Sequence, residues 1–274
     1  MKTKFLIAAS ALLVILAGGL YALQAPPTVT ISPAMPSTIY VNSTTTVTIT
    51  AQITDSRVIP TGVILLQIDP VTGAQSIVGS LKANGQTFTI TLQPVTTAPT
   101  LFSYDVSAAF SGLLKRTISL PITVAVAPVG VVLPPDPGPA GMQTLAGIDT
   151  NENGTRDDIE RWIAVTEPTS ARMRAGLTQG AIGIQQAILA SSTAEAIAGM
   201  NAEGEAQDCL GGLMGSIKLA RSLITELEAV TVNTAPRVTA YLTANSLNSG
   251  TFTAVPGPSQ YLSSCAFNPN ALPN

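Results

Sequence analysis

The run Asp149-Thr150-Asn151-Glu152-Asn153-Gly154-Thr155-Arg156-Asp157-Asp158-Ile159-Glu160 sets oxygen-bearing side chains at alternating positions around a glycine. A hard divalent cation needs six to eight oxygens, and a twelve-residue loop supplies them from positions one, three, five, seven, nine and twelve. Counted from Asp149, these positions fall on Asp149, Asn151, Asn153, Thr155 through its carbonyl, Asp157 and Glu160. Gly154 falls at the sixth, where the turn requires a conformation that a side chain resists. Glu160 falls where both of its oxygens grip the ion from the first turn of a following helix. The spacing therefore predicts a Ca2+ site. Three carboxylates and two amides suit a Kd on the order of 10⁻⁴ to 10⁻³ M, so millimolar calcium would stabilise the fold by about 0.5–1.5 kcal/mol. The same residues also suit a turn rich in Asx side chains, with Asp157 or Asp158 capping the next helix.

Two features separate this loop from a paired EF-hand. Position eight is Arg156, where paired loops carry an apolar β residue, and the entering segment 142–148 has room for only a turn or two of helix. The loop is closer to the single Asp/Asn-rich calcium loops of dockerin-like and thrombospondin type 3 repeats.

The elements around it fall into two halves. Residues 28–126 alternate short β-rich runs with turn residues, and seven strands are predicted at 28–32, 45–53, 62–69, 75–81, 86–92, 101–110 and 116–126. Val47, Ile49 and Ala51 alternate with Thr46, Thr48 and Thr50, as in a sheet with one wet face. Asp69-Pro70 with Gly73, and Asn84-Gly85, read as hairpin turns. Pro121 belongs at an edge or a bulge. The pattern resembles an immunoglobulin-like or fibronectin-like β-sandwich. Residues 127–141, APVGVVLPPDPGPAG, disfavour helix and strand and read as an extended, semi-rigid linker. The remainder, 142–274, reads as a small helical domain opened by the loop. Its helices are expected from Ile159 to Pro168, over 170–190, over 207–230 with Lys218, Arg221 and Glu228 on the wet side, and over 236–247. Gly211, Gly212 and Gly215 either permit close helix contact or weaken the third helix.

Composition narrows the chemistry. Histidine is absent from the 274 residues, which removes Ser-His-Asp and Cys-His catalysis and histidine-bound zinc. The net charge of −3 argues against nucleic acid as a partner. Residues 1–25 read as an export signal, with Lys2 and Lys4 ahead of an apolar stretch from Phe5. If it is retained, the same stretch is just long enough to anchor the chain in a membrane. Cys209 and Cys265 would meet in an oxidising compartment, where such a pair forms a bridge, the alternative being two free thiols. By chain entropy alone the bridge is worth roughly 4 kcal/mol. Glu203, Glu205 and Asp208 form a second acidic group that reads as a solvated helix edge.

The runs GIDTNENGTRDDIERWI, NTAPRVTAYL and SSCAFNP, within residues 145–272, resemble a family of exported bacterial proteins of unassigned activity. The resemblance implies no mechanism. It places the family's cysteine pair at Cys209 and Cys265. Taken together, these features predict a calcium-stabilised exported protein of the periplasm, cell surface or medium, with a structural, adhesive or interaction role and no catalytic residues. Its expected partners are calcium and an envelope or surface protein, with membrane contact only through an uncleaved N-terminus. The alternatives are an extracellular hydrolase using paired carboxylates and an anchored periplasmic subunit of a larger complex.

Overall fold

The computed structural model describes residues 27–54, 59–69, 72–94, 96–111, 117–251 and 256–274. The leader reading over 1–25, Pro70 of the first turn and the start of the 116–126 run lie outside these residues. The β half contains β1 (Val29–Ile31), β2 (Thr38–Tyr40), β3 (Val47–Ile53), β4 (Pro60–Ile68), β5 (Gln75–Ser80), β6 (Lys82–Asn84), β7 (Thr87–Leu92), β8 (Thr100–Phe110), β9 (Thr117–Ile118) and β10 (Ile122–Ala127). One sheet has the order β1-β3-β7-β6; the other has β2-β10-β8-β4-β5, with β9 beside β8. Both contribute to a single core, in which Val47, Ile49 and Ala51 of β3 meet Val106 and Ala108 of β8 and Val124 of β10. Thr48 and Thr50 are only half-buried, so the period-two pattern of β3 is realised.

The described residues thus hold ten strands where the sequence suggested seven. β2 and β6 are three-residue strands without a pattern of their own. The 116–126 run is broken at 119–121, because Pro121 has no N–H to continue a ladder. Ser119 spans the break, its N–H donating to Val106 O and its hydroxyl accepting from Val106 N–H, both at 2.9 Å. All the ladders are antiparallel except β2 with β10, which is parallel. Among the described residues the outer strands β1, β2 and β6 are three residues long and β9 two, and β5 has a bulge opposite Leu65 and Leu66.

Residues 128–137 have no regular structure and lead into a short 3-10 helix, Gly138–Met142. They are held against the β half by buried Asp136. Thr123 N–H donates to its Oδ2 at 2.7 Å and the Thr123 hydroxyl to its Oδ1 at 2.9 Å, while Asp136 N–H donates to Ser37 Oγ.

The helical half contains α1 (Asp157–Thr166), α2 (Ala171–Leu189), α3 (Thr193–Met214), α4 (Ile217–Thr231) and α5 (Ala235–Leu247). Ser170, Ser192, Ser216 and Thr234 cap α2 to α5, each accepting from the N–H three residues on. The single helix expected over 207–230 is two helices. Gly215, at φ +65°, closes α3 in the left-handed conformation that glycine adopts without penalty, and Ser216 caps α4. The first fourteen residues of α3, up to Ala206, lay outside any predicted helix. Leu177, Ile184 and Ile188 of α2 pack on Leu210 of α3 and on Leu223, Ile224 and Leu227 of α4. α2 and α3 approach closely at Gly183 and Gly199, where a Cβ would come within 2.6 Å of Glu203 N and 2.5 Å of Ala187 N. The Cys209–Cys265 disulfide joins α3 to the tail behind the 3-10 helix Pro258–Ser264. Gln179 holds the same stretch from α2, donating to Ser264 O and accepting from Ala266 N–H, both at 2.8 Å.

Candidate functional site

The loop leading into α1 draws four of the six expected ligand residues together. Asp149 accepts from Asn153 N–H at 3.2 Å and from Gly154 N–H at 2.8 Å. Asn151 Oδ1 accepts from Asn153 N–H, and Asn153 Oδ1 from Thr155 N–H at 2.8 Å. The amide nitrogens of both asparagines donate to Glu160, Asn153 at 2.7 Å and Asn151 at 3.2 and 3.3 Å. Gly154 has φ +87°, as the sixth position demands.

Asp157 is placed differently. Both of its oxygens accept from Thr150, one from the N–H at 2.9 Å and one from the hydroxyl at 2.5 Å, so this buried carboxylate braces the second position of the loop. Neither Asp157 nor Asp158 caps α1; the cap position is Arg156, with no side-chain bond to the helix end. Thr155 is 1% exposed, and its hydroxyl has no partner. Among the described residues no three Asp, Glu or Cys side chains converge as a metal-binding group by themselves. The cluster is a mixed carboxylate and amide set. Burial pushes the Glu160 carboxyl above its ordinary range, bonds from Asn153 and Asn151 hold it down, and the charges of Asp157 and Asp149 push it further up. A cation would relieve that last repulsion.

What holds the loop is a pair of buried arginines that sequence reasoning did not place. Arg156, the apparent oddity at position eight, pairs with Asp158 through two bonds of 2.9 Å and donates to Thr231 O at the end of α4 and to Gln185 of α2. Arg237 of α5 grips the entering segment, donating to Gly141 O at 2.6 Å, Thr144 O at 2.8 Å and Leu145 O at 3.1 Å, and to Asn233 Oδ1 at 2.7 Å. Gln185 adds a bond to Ala146 O. Gly147, at φ +71°, lies against both guanidinium arms, and a Cβ there would come within 2.3 Å of Arg156 Cδ. The separate runs GIDTNENGTRDDIERWI and NTAPRVTAYL therefore meet in space, with Arg237 of the second supporting the entry to the loop of the first. Their only sequence signal was two arginines beside otherwise ordinary helix patterns.

Of the second acidic group, Glu205 is exposed and Asp208 half-buried, while Glu203 departs from the solvated edge that the spacing suggested. Glu203 is 6% exposed and lies between helices, accepting from the Tyr241 hydroxyl at 2.9 and 3.0 Å and hydrogen-bonded to Glu228. Burial first, and then the hydrogen bond and charge of Glu228, push its carboxyl up to about 8 against the bond from Tyr241 that holds it down. Asp208 is also raised, by burial and by Glu205. Because the folded pKa of Glu203 lies above the unfolded value, its contribution is complete below about 4.5 and is lost as pH rises through about 8. Unfolding free energy should therefore fall across this window, and Glu203→Gln should flatten the fall; an unchanged pH slope in urea titrations of the variant would contradict the assignment.

A cleft of about 590 Å³ beside the loop is lined by Gly154, Ile182, Gln186, Leu189, Ser191 and Glu195. A smaller one of about 150 Å³ lies at the end of the β half, between Ile53, Ile59, Pro60 and Phe88. Glu203 and Asp208 line neither. Among the described residues no helix is long and apolar enough to cross a membrane. No protein-family model matches the chain, and no curated protein matches it.

Proposed function

We propose that the chain is a calcium-stabilised, exported envelope or secreted protein with a structural, adhesive or interaction role, a member of the exported bacterial family its motifs resemble. In this reading the β half is an immunoglobulin-like module, and the helical half presents one calcium loop. The observation that carries the metal is the convergence of Asp149, Asn151, Asn153 and Glu160 on a loop fixed at both ends by buried arginines. The ion would take the place of the amide donors that now face Glu160, and Thr155 would add its carbonyl. With Asp157 bracing Thr150, the direct carboxylates are Asp149 and Glu160, which suits weak extracellular affinity. Such an ion is constitutive and holds the start of α1.

Calorimetric titration of the chain with calcium should give saturable binding near 10⁻⁴ to 10⁻³ M. Thermal melts should rise by a few degrees in millimolar calcium over chelator, corresponding to about 1 kcal/mol. Glu160→Ala should lose both effects, and a wild-type chain that takes up no calcium removes this reading. The hydrolase alternative has one observation in its favour, the raised carboxyl of Glu203 beside Glu228. That carboxyl lies between packed helices, bonded by the Tyr241 hydroxyl, which supports a structural role for it.

A further inference from the structure

Loop and β half are connected by one short helix. Asp157 and Glu160 form the first turn of α1, and the next residue, Arg161, points away from the loop and is 0% exposed. Its guanidinium crosses to the other half of the molecule. It donates to Ser37 O at 2.6 Å and Thr38 Oγ1 at 2.8 Å on the approach to and in β2, to Pro134 O at 3.1 Å in the proline-rich run, and to Thr123 O in β10 at 3.5 Å. No carboxylate is among these acceptors. The nearest acidic support is the field of Asp136 in the proline-rich run and of Asp157 in the loop, which partly offsets the burial that lowers the Arg161 pKa. Asp136 is itself bonded to Thr123 and to Ser37. β2, β10, the proline-rich run and α1 therefore meet at one guanidinium, a single residue from the principal carboxylate of the loop.

We infer that the loop and this joint form one coupled device: a divalent cation that fixes the first turn of α1 also fixes Arg161 in its socket of β-half carbonyls, and so sets how rigidly the two halves are held. The inference rests on the calcium reading above. A flexible loop leaves the start of α1 free to fray, and an Arg161 that moves by an ångström or two loses acceptors arranged for one position. Coupling of this kind is reciprocal, so breaking the joint weakens cation binding although no ligand is removed.

The test uses the full chain, with calcium itself as the probe. Spin labels at Ser76→Cys in β5 and Ser222→Cys in α4 report the distance between the halves, and both sites are exposed. Calcium should narrow the distance distribution of the otherwise wild-type chain relative to chelator. Arg161→Met should leave it broad in both conditions and weaken calcium binding about threefold to tenfold. Arg161→Lys, which keeps the charge but loses the planar fork, should fall between the two and serves where the methionine variant does not fold. A chain that binds calcium with an unchanged distribution, and an Arg161→Lys chain of wild-type affinity, would overturn the coupling while leaving the calcium site intact. Absence of calcium binding by the wild-type chain would overturn both.

Discussion

Arg237→Met is expected to lower the unfolding free energy by about 3–5 kcal/mol, read in urea titrations at neutral pH. The side chain is fully buried and donates to three backbone carbonyls, at Gly141, Thr144 and Leu145, and to Asn233. Methionine approximates the length and fills the volume but donates nothing. Three carbonyls of the segment entering the loop then lose their partners, and each such loss in a buried setting costs about 1–3 kcal/mol. Part of that cost is offset because the charged guanidinium no longer has to be desolvated, which is the same burial that lowers its pKa. Arg237→Lys should recover less than half, since one ammonium cannot span acceptors that the fork reaches together. Both variants should also weaken calcium binding, because the segment they release leads directly into Asp149. A loss below about 1 kcal/mol would mean that water replaces the guanidinium without strain.

Removing the disulfide ranks beside it. Cys209→Ala with Cys265→Ala frees a connection spanning 56 residues, and chain entropy puts the loss at about 4 kcal/mol. Gln179 still ties Ser264 and Ala266 to α2, and Arg172 donates to Leu272 O at 3.0 Å. The observed loss should therefore lie at the lower side, about 2–4 kcal/mol, and adding Gln179→Ala should increase it. Equal unfolding midpoints with and without reductant would show that these bonds alone fasten the tail.

What was legible in the sequence was local. The turn of the loop could be read because residue type at fixed offsets implies it, and Gly154 has the φ of +87° expected at the sixth position; the calcium reading is the proposal built on that turn. α2 was bounded by Ser170 and by an apolar stripe, both of which the structure retains. The break between α3 and α4 was hidden because Leu210, Leu213, Ile217 and Leu223 maintain a helical rhythm across Gly215 and Ser216. The start of α3 was hidden for the opposite reason. Apart from Glu203, its buried face is made of Ala196, Gly199 and Ala206, small residues that carry no amphipathic signal but let two backbones approach. Least legible were the charged residues. Arg156, Arg161 and Arg237 had no buried role in the sequence, and Glu203 read as a solvated edge, because most of their hydrogen-bond partners lie 27 to 124 residues away in sequence.

The borders of the β half have a consequence for behaviour in a crowd. Among the described residues its outer strands β1, β2, β6 and β9 are too short to offer another chain more than one or two ladder bonds, and a bulge interrupts β5. Among the described residues a neighbouring polypeptide finds no long continuous row of donors and acceptors on which to extend a sheet. Among the described residues, contact of the β half with another chain therefore falls to side chains, with Ile77 and Val78 the exposed apolar ones of β5.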